Sequence, residues 1–231
     1  KPILNHMLDG IAMDENLLIK EISNDKTLET IYEDDVLLVI HKPAEFLSVP
    51  GKEITDAVST RIKEKYPNAT GPLIVHRLDM STSGILLLTK TKEANKHLQN
   101  QFIKKSIQKR YVALLDGNLT EDKGKITLPL RVDLDDRPKQ LVCFEHGKNA
   151  ETRWEVIRRE KGKTRVYFYP ITGRTHQLRV HAAHKNGLNA PIVGDDLYGK
   201  KQDRLHLHAE FIAFTHPATN EKMSFRVAPS F

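Results

Sequence analysis

The chain has 231 residues, 39% of them apolar and 29% charged, and Lys plus Arg outnumber Asp plus Glu by 36 to 30 for a formal net charge of +6. That length can bury a sizeable core in one large domain or two small ones, and the balance excludes a disordered or fibrous polypeptide. One cysteine, Cys143, excludes an internal disulfide framework and a cysteine-rich zinc site, and no apolar run reaches the length of a membrane span. The basic surplus favours a polyanionic partner without requiring one.

Residues 1–29 carry a weak helical pattern and no motif, and read as an N-terminal arm or the tail of an upstream region. The chain opens on Lys and reads as a fragment or a trimmed product; with no signal peptide and no disulfides, the expected compartment is the cytoplasm. Residues 30–231 are expected to form one domain. "DDVLLVIHKP" is a short strand stopped by Pro43. "ITDAVSTRIKEKYP" has Ile54, Val58 and Ile62 at helical spacing and predicts a helix from about Thr55 to before Pro67. "LIVHRLD" and "GILLLTK" predict two strands around a polar turn. "TKEANKHLQNQFIKKS" predicts an amphipathic helix capped by Thr91. Strand-like runs follow: "KRYVALLDG", "GKITLPLRV", "KQLVCFEH", "ETRWEVIRRE" and "TRVYFYPITG". Cys143 lies in the third of these and is expected to be a buried structural thiol. "RTHQLRVHAAHKNG" returns to helical spacing and stops at Gly187, and "RLHLHAEFIAFTHP" and "KMSFRVAP" close the chain as strands. Adjoining strands favour antiparallel pairing, so the fold class is α+β, a mixed, largely antiparallel sheet with flanking helices.

The most apolar stretch is interrupted by chemistry. In "LIVHRLDMSTSGILLLTK", Asp79 sits between a strand-like start and a Ser/Thr/Gly turn. An acid at a strand end beside an open loop suits a nucleophile or general base; the alternative is that Asp79 only caps the turn. Arg77, two residues away, could keep Asp79 ionised or grip a phosphate, and His76 on the other side reads as a core histidine. In "ITGRTHQLRVHAAH", the residues Arg174, His176, Arg179, His181 and His184 crowd one segment. The histidine spacing does not suit a metal, whereas a cationic helix start suits phosphate; the alternative is a solvated basic face. In "IQKRYVALLDG", Tyr111 beside Lys109 and Arg110 suits a base stacked and gripped through its phosphate, or a tyrosine merely packed at a strand start. "GDDLYG", residues 194–199, suggests a tight loop.

Together these motifs resemble the RluA family of pseudouridine synthases. "HRLDMSTSG" followed by an apolar strand is similar to that family's signature, and "YEDDVLLVIHKPAEFLSVPG", "KRYVALLDG", "ITGRTHQLRVH", "PIVGDDLYG" and "RLHLHAEFIAFTHP" follow in the family's order. The resemblance runs from about Thr30 to Phe231, and "DDRPKQ" is similar to the branch lacking an N-terminal RNA-binding domain of the S4 type. It implies the pseudouridine synthase fold with a central RNA-binding cleft, and a catalytic domain over residues 30–231. It implies an enzyme that isomerises uridines in structured RNA, in large-subunit ribosomal RNA, transfer RNA or both. It implies Asp79 as nucleophile, Tyr111 stacking on the uracil, Arg179 pairing with Asp79, and Arg77 entering or touching the RNA helix as the uridine turns out. His76, Lys109, Arg110, Arg174 and His176 are the further RNA-binding candidates. Because the reaction is neither a redox step nor a net hydrolysis, no cofactor and no metal are expected, and the default state is a monomer. Two departures stand out: Ala44-Glu45, where the family has a glycine after Lys-Pro, and Leu188–Ala190, inserted between Gly187 and Pro191.

Two other functions compete. A retaining glycosidase would want a second carboxylate about 5 Å from Asp79, with Asp195 as a candidate. A non-catalytic RNA-binding module would account for the charge but not for an acid inside a phosphate-binding groove.

Overall fold

The computed structural model describes residues 26–231; the N-terminal arm expected over residues 1–29 lies almost wholly outside the described residues. Strand β1 (Glu29–Glu33) turns into β2 (Leu37–Lys42) at Asp34, whose Oδ1 accepts from the backbone N–H groups of Val36 at 2.9 Å and Leu37 at 2.8 Å. Helix α1 (Val58–Lys65) starts at Val58, three residues later than the spacing predicts, with Ala57 at its N-cap and no side-chain cap. Helix α2 (Lys92–Ile103) starts as expected: Thr91 accepts from the Ala94 N–H at 3.2 Å.

β3 (Ser83–Thr89) is buried throughout, and it pairs antiparallel with β2. Alternate residues of this pair face opposite sides. Leu38, Ile40, Leu86 and Leu88 pack with Val58 and Ile62 of α1, while Leu37, Val39, Ile85 and Leu87 pack with Leu98 of α2. Covered on both faces, the pair reads as unbroken apolar runs.

The remaining strands are β4 (Gln108–Asp116), β5 (Lys123–Thr127), β8 (Glu151–Glu160), β9 (Lys163–Pro170), β10 (Leu207–Thr215) and β11 (Lys222–Arg226). The large sheet has the order β1-β2-β3-β10-β4-β9-β8-β5. Every pair is antiparallel except β3 with β10, a parallel contact of two residue pairs, Ser83 with His208 and Gly84 with Ala209. β11 takes the same edge of β10 where β3 leaves it. Gly84 has φ +125, and a Cβ there would lie 2.3 Å from the Ala209 carbonyl oxygen, so the parallel seam requires glycine. β6 (Leu130–Val132) and β7 (Gln140–Val142) form a separate hairpin, split from β5 by Pro129. The mixed, largely antiparallel α+β architecture is as the sequence predicts.

Three local expectations fail. "LIVHRLD" is not a strand: it runs beside β3 with a single bridge, Ile74 to Leu88, and a backbone bond from Thr89 N–H to the Leu73 carbonyl. At Leu87 the N–H donates to the His76 ring Nε2 at 2.9 Å, so a side chain replaces the next ladder carbonyl and frees the chain to leave the sheet. The "RTHQLRVHAAHKNG" helix shrinks to α3 (Gln177–Ala183), because His176 at its start has φ 52, outside helical space. Cys143 lies one residue beyond β7 and is half-buried, its Sγ accepting from the His146 N–H at 3.4 Å. No helix among the described residues is long and apolar enough to cross a membrane.

Candidate active site

One cleft of about 740 Å³ opens where the two halves of the sheet meet, and Asp79, Tyr111 and Arg179 all line it. Asp79 reaches it from the turn before β3, a turn closed by the Thr82 N–H donating to the Asp79 carbonyl at 3.0 Å. Tyr111 reaches it from β4, packed at the junction of the two cores that flank the seam. Arg179 reaches it from α3. Residues from widely separated parts of the chain converge because β10 inserts between β3 and β4.

The electrostatics of these groups are shared. Burial first, and then the nearby Asp79 carboxylate, push the Tyr111 phenol well above its usual range, so it stays protonated at neutral pH. Burial opposes the charge of Arg179, but Asp195, Asp79 and Asp196 outweigh it and hold the guanidinium more firmly charged than usual. Burial lowers the His176 pKa, while Asp79 pulls it back up.

Arg179 does not make the expected ion pair with Asp79. Its Nε donates to Asp195 Oδ2 at 3.0 Å and its Nη2 to Asp195 Oδ1 at 2.6 Å, with a further bond from Nη2 to Asp196 Oδ1 at 3.0 Å. Arg179 and Asp195 are 3% and 0% exposed, a buried fork-to-carboxylate pair. Asp195 won this contact because its loop is folded around it: Oδ1 also accepts from the N–H groups of Leu197 and Tyr198. Thus "GDDLYG", a weak signal in sequence, supplies the partner of Arg179, a residue that reading the chain alone offered only as the second carboxylate of a glycosidase. Engaged in this way, Asp195 is no acid/base partner for a glycosidase. Tyr198 of the same loop donates or accepts a 2.7 Å bond with His176 Nδ1 and accepts from the Gln140 N–H at 2.8 Å, tying the β6–β7 hairpin to the cleft.

Among the RNA-binding candidates, Arg77, Lys109, Arg174, His176 and His76 line the cleft. Arg77 and Arg174 are exposed, and Arg174 Nε donates to the Asn149 carbonyl at 2.9 Å. Burial lowers the Lys109 pKa to about 8. His76 is a neutral structural group: burial and the adjacent Lys109 push its pKa down to about 3, its Nε2 is committed to β3, and its ring lies 5.1 Å from Phe102. Arg110 is outside the cleft altogether. It alternates to the opposite face of β4 from Lys109 and Tyr111, where Nε bonds buried Glu210 at 2.9 Å and the guanidinium lies 4.5 Å from the Tyr167 ring. The helix-start phosphate site is likewise absent, since α3 has only seven residues and opens on left-handed His176. Among the described residues no cluster of His, Cys, Asp and Glu could hold a metal.

The model of the RNA pseudouridylate synthase family matches residues 36–184, more than half of the chain, which belongs to that family and so to the RNA-modifying isomerases. Relatives named RluA match it over most of its length. The dual-specificity RNA pseudouridine synthase RluA of Pasteurella multocida is 45% identical over 90% of this chain and 95% of its own length. That of Escherichia coli K12 is 43% identical over 88% and 94%. Among solved structures, human RNA pseudouridylate synthase domain containing 1 matches with a TM-score of 0.73 at 26% identity, covering 89% of this chain and 84% of that one. The human domain containing 4 protein matches with a TM-score of 0.70 at 25% identity, covering 95% and 94%.

Proposed function

We propose that residues 30–231 form the catalytic domain of a cytoplasmic, monomeric RNA pseudouridine synthase with dual specificity, acting on stem-loops of large-subunit ribosomal RNA and of transfer RNA. What supports the choice of substrates is the high identity to relatives named dual-specificity enzymes, over nearly their full length. What supports the residue roles is the convergence of Asp79, Tyr111 and Arg179 on one cleft.

In this reading the target uridine leaves its stack, at a cost of a few kcal/mol, and its base stacks on Tyr111. Arg77, exposed at the cleft, occupies or braces the gap in the RNA. Asp79 attacks as the nucleophile while the bond from the ribose carbon to uracil N1 breaks and its electron pair goes to the base. The base turns and its C5 joins the same ribose carbon as the bond from that carbon to the Asp79 oxygen breaks and returns its electron pair to the carboxylate; the C5 proton then leaves to solvent and N1 takes one up. No atoms are gained or lost, so the chemistry calls for neither a redox cofactor nor a metal.

The test is tritium release from RNA labelled at uracil C5, using a transfer RNA stem-loop and a ribosomal stem-loop separately. The expected result is label in water without free uracil from both RNAs, and none from Asp79→Asn although that variant folds and binds RNA. Free uracil would indicate a glycosidase, and RNA binding without release of either product would indicate a binding module. Turnover of only one RNA would overturn dual specificity.

A further inference from the structure

The reverse face of the sheet carries a line of side chains that the cleft does not use. Along β9, Val166 and Phe168 join the core that Leu178 and Ala182 of α3 also fill, whereas Tyr167 and Tyr169 alternate to the other face and, like Phe211, belong to none of the apolar cores. The strand register lines up what this face carries. Lys125 pairs with Arg153, Arg153 with Tyr169, and Phe211 with both Arg110 and Arg226. Arg110 lies one step from the Tyr111–Phe168 pair and so beside Tyr169. Lys125, Arg153, Tyr169, Arg110, Phe211 and Arg226 therefore form one line across the sheet, about 24 Å long at about 4.8 Å per strand. The side chains of Arg153 and Arg226 are 65% and 64% exposed, Lys125 is exposed, and the two rings are half-buried. The charges do not cancel: Arg110 and Arg226 share Glu210, and Glu151 reaches Arg153 only at 3.6 Å. Exposed Glu155 stands one row further from the cleft, opposite Tyr167.

The line also adjoins the cleft mouth. Pro170 to Arg174 line the cleft and directly follow Tyr169, and Lys109 lines it and directly precedes Arg110. We propose that this line is a second RNA site, which takes an unpaired strand continuing from the stem-loop held in the cleft, round the end of the sheet. The inference rests on the cleft taking a stem-loop. Cations interleaved with aromatic rings suit a single strand, whose phosphates meet the cations while a base stacks on a ring. A duplex offers its phosphates but hides the faces of its bases, so an unpaired strand makes fuller use of Tyr169. Arg110 is spent on Glu210 and lies over the Tyr167 ring, so the phosphate contacts fall to Lys125, Arg153 and Arg226.

The experiment measures the affinity of the full chain, across salt concentrations, for a transfer RNA stem-loop that is bare or extended by about ten unpaired cytidines at its 5′ or 3′ end. One of the two tails should tighten wild-type binding about tenfold, the scale of one stacked base, and steepen the salt slope by about 1.4, for two phosphates at about 0.7 each. Lys125→Glu combined with Arg153→Glu, both at exposed sites, should abolish the gain and the added slope. The same variant should bind the bare stem-loop, and release its tritium, within about twofold of wild type, because the cleft is untouched. Tyr169→Ala, checked by thermal unfolding, should lose most of the gain and keep the added slope. No gain from either tail would overturn the inference. So would a gain that survives the double charge reversal, or one undiminished in folded Tyr169→Ala. Oligoglutamate that displaces the tail as well as oligocytidine of equal charge would overturn it in favour of an acidic protein partner. If the stem-loop reading itself is wrong, the bare stem-loop neither binds nor releases tritium, which separates that failure from this one.

Discussion

Replacing Lys42 with Met tests whether the floor of the cleft is held by a buried ammonium. Lys42 is fully buried at the end of β2, and its Nζ donates to the carbonyls of Pro43 at 2.8 Å, Phe46 at 2.6 Å and Met80 at 3.1 Å. Burial, with help from Lys26 and against the pull of Asp79, lowers its pKa from 10.5 to about 7. The unfolded chain keeps this proton to near pH 10.5 and the folded chain releases it near pH 7, so between those values the unfolded state binds more protons and stability rises with pH. The penalty is complete below about pH 7 and vanishes toward the unfolded value. Integrated from about pH 7 to about pH 9, at about 1.4 kcal/mol per unit, Lys42 contributes roughly 2 kcal/mol of added stability. Lys42→Met abolishes that slope and also strips a donor from three carbonyls, about 1 kcal/mol each. Urea unfolding of both proteins at about pH 7, 8 and 9 measures this, because every other titrating group cancels in the difference. The gap in stability should widen by about 2 kcal/mol toward high pH. A gap constant to within about 0.5 kcal/mol would refute a strongly depressed Lys42. Since the Met80 carbonyl adjoins Asp79, turnover should fall as well, by about tenfold.

Gly84→Ala should cost at least about 3 kcal/mol in the same unfolding assay, since the new Cβ meets the Ala209 backbone and the positive φ is lost to alanine; near-wild-type stability would contradict the close approach of β3 and β10. Arg110→Ala should lower stability by about 2–3 kcal/mol, by leaving buried Glu210 with Arg226 alone, while RNA affinity stays within about twofold. A large loss of RNA affinity would return Arg110 to the interface. RNA affinity of the wild type should drop as pH rises through about 8, where Lys109 loses its proton, and Lys109→Met should remove that drop and reduce the salt slope by about one; an unchanged pH profile would sink the assignment.

The sheet was legible in the sequence because its determinants are local. The unbroken apolar runs of β2 and β3 announce burial on both faces, and Thr91 announces the start of α2. What escaped depended on partners distant in sequence. "LIVHRLD" has every local mark of a strand, yet His76 caps Leu87 and ends the ladder, a side-chain contact that no propensity encodes. Asp79 and Tyr111 stood out as polar or aromatic groups in apolar runs, and both line the cleft. The partner of Arg179 did not stand out, because choosing Asp195 over Asp79 needs the fold of the 194–199 loop. Arg110 misled because two adjacent cations on a strand point to opposite faces. Within the two departures from the family pattern, Glu45 and Asn189 occupy left-handed conformations, at φ 57 and 49, that glycine would adopt freely.

The parallel seam has a consequence for synthesis. β10 is a central strand of the great sheet, yet among the described strands only β11 follows it in sequence, and within that sheet it joins the half bearing Asp79 to the half bearing Tyr111 and Arg179. A nascent chain can close β2 on β3 and β8 on β9 by short-range hairpins and neighbours, but the two halves can meet only after residues 207–215 have left the ribosome. Any chain ending before that strand carries all three cleft residues without the strand that brings them together, so the cleft can assemble only once residues 207–215 have been made.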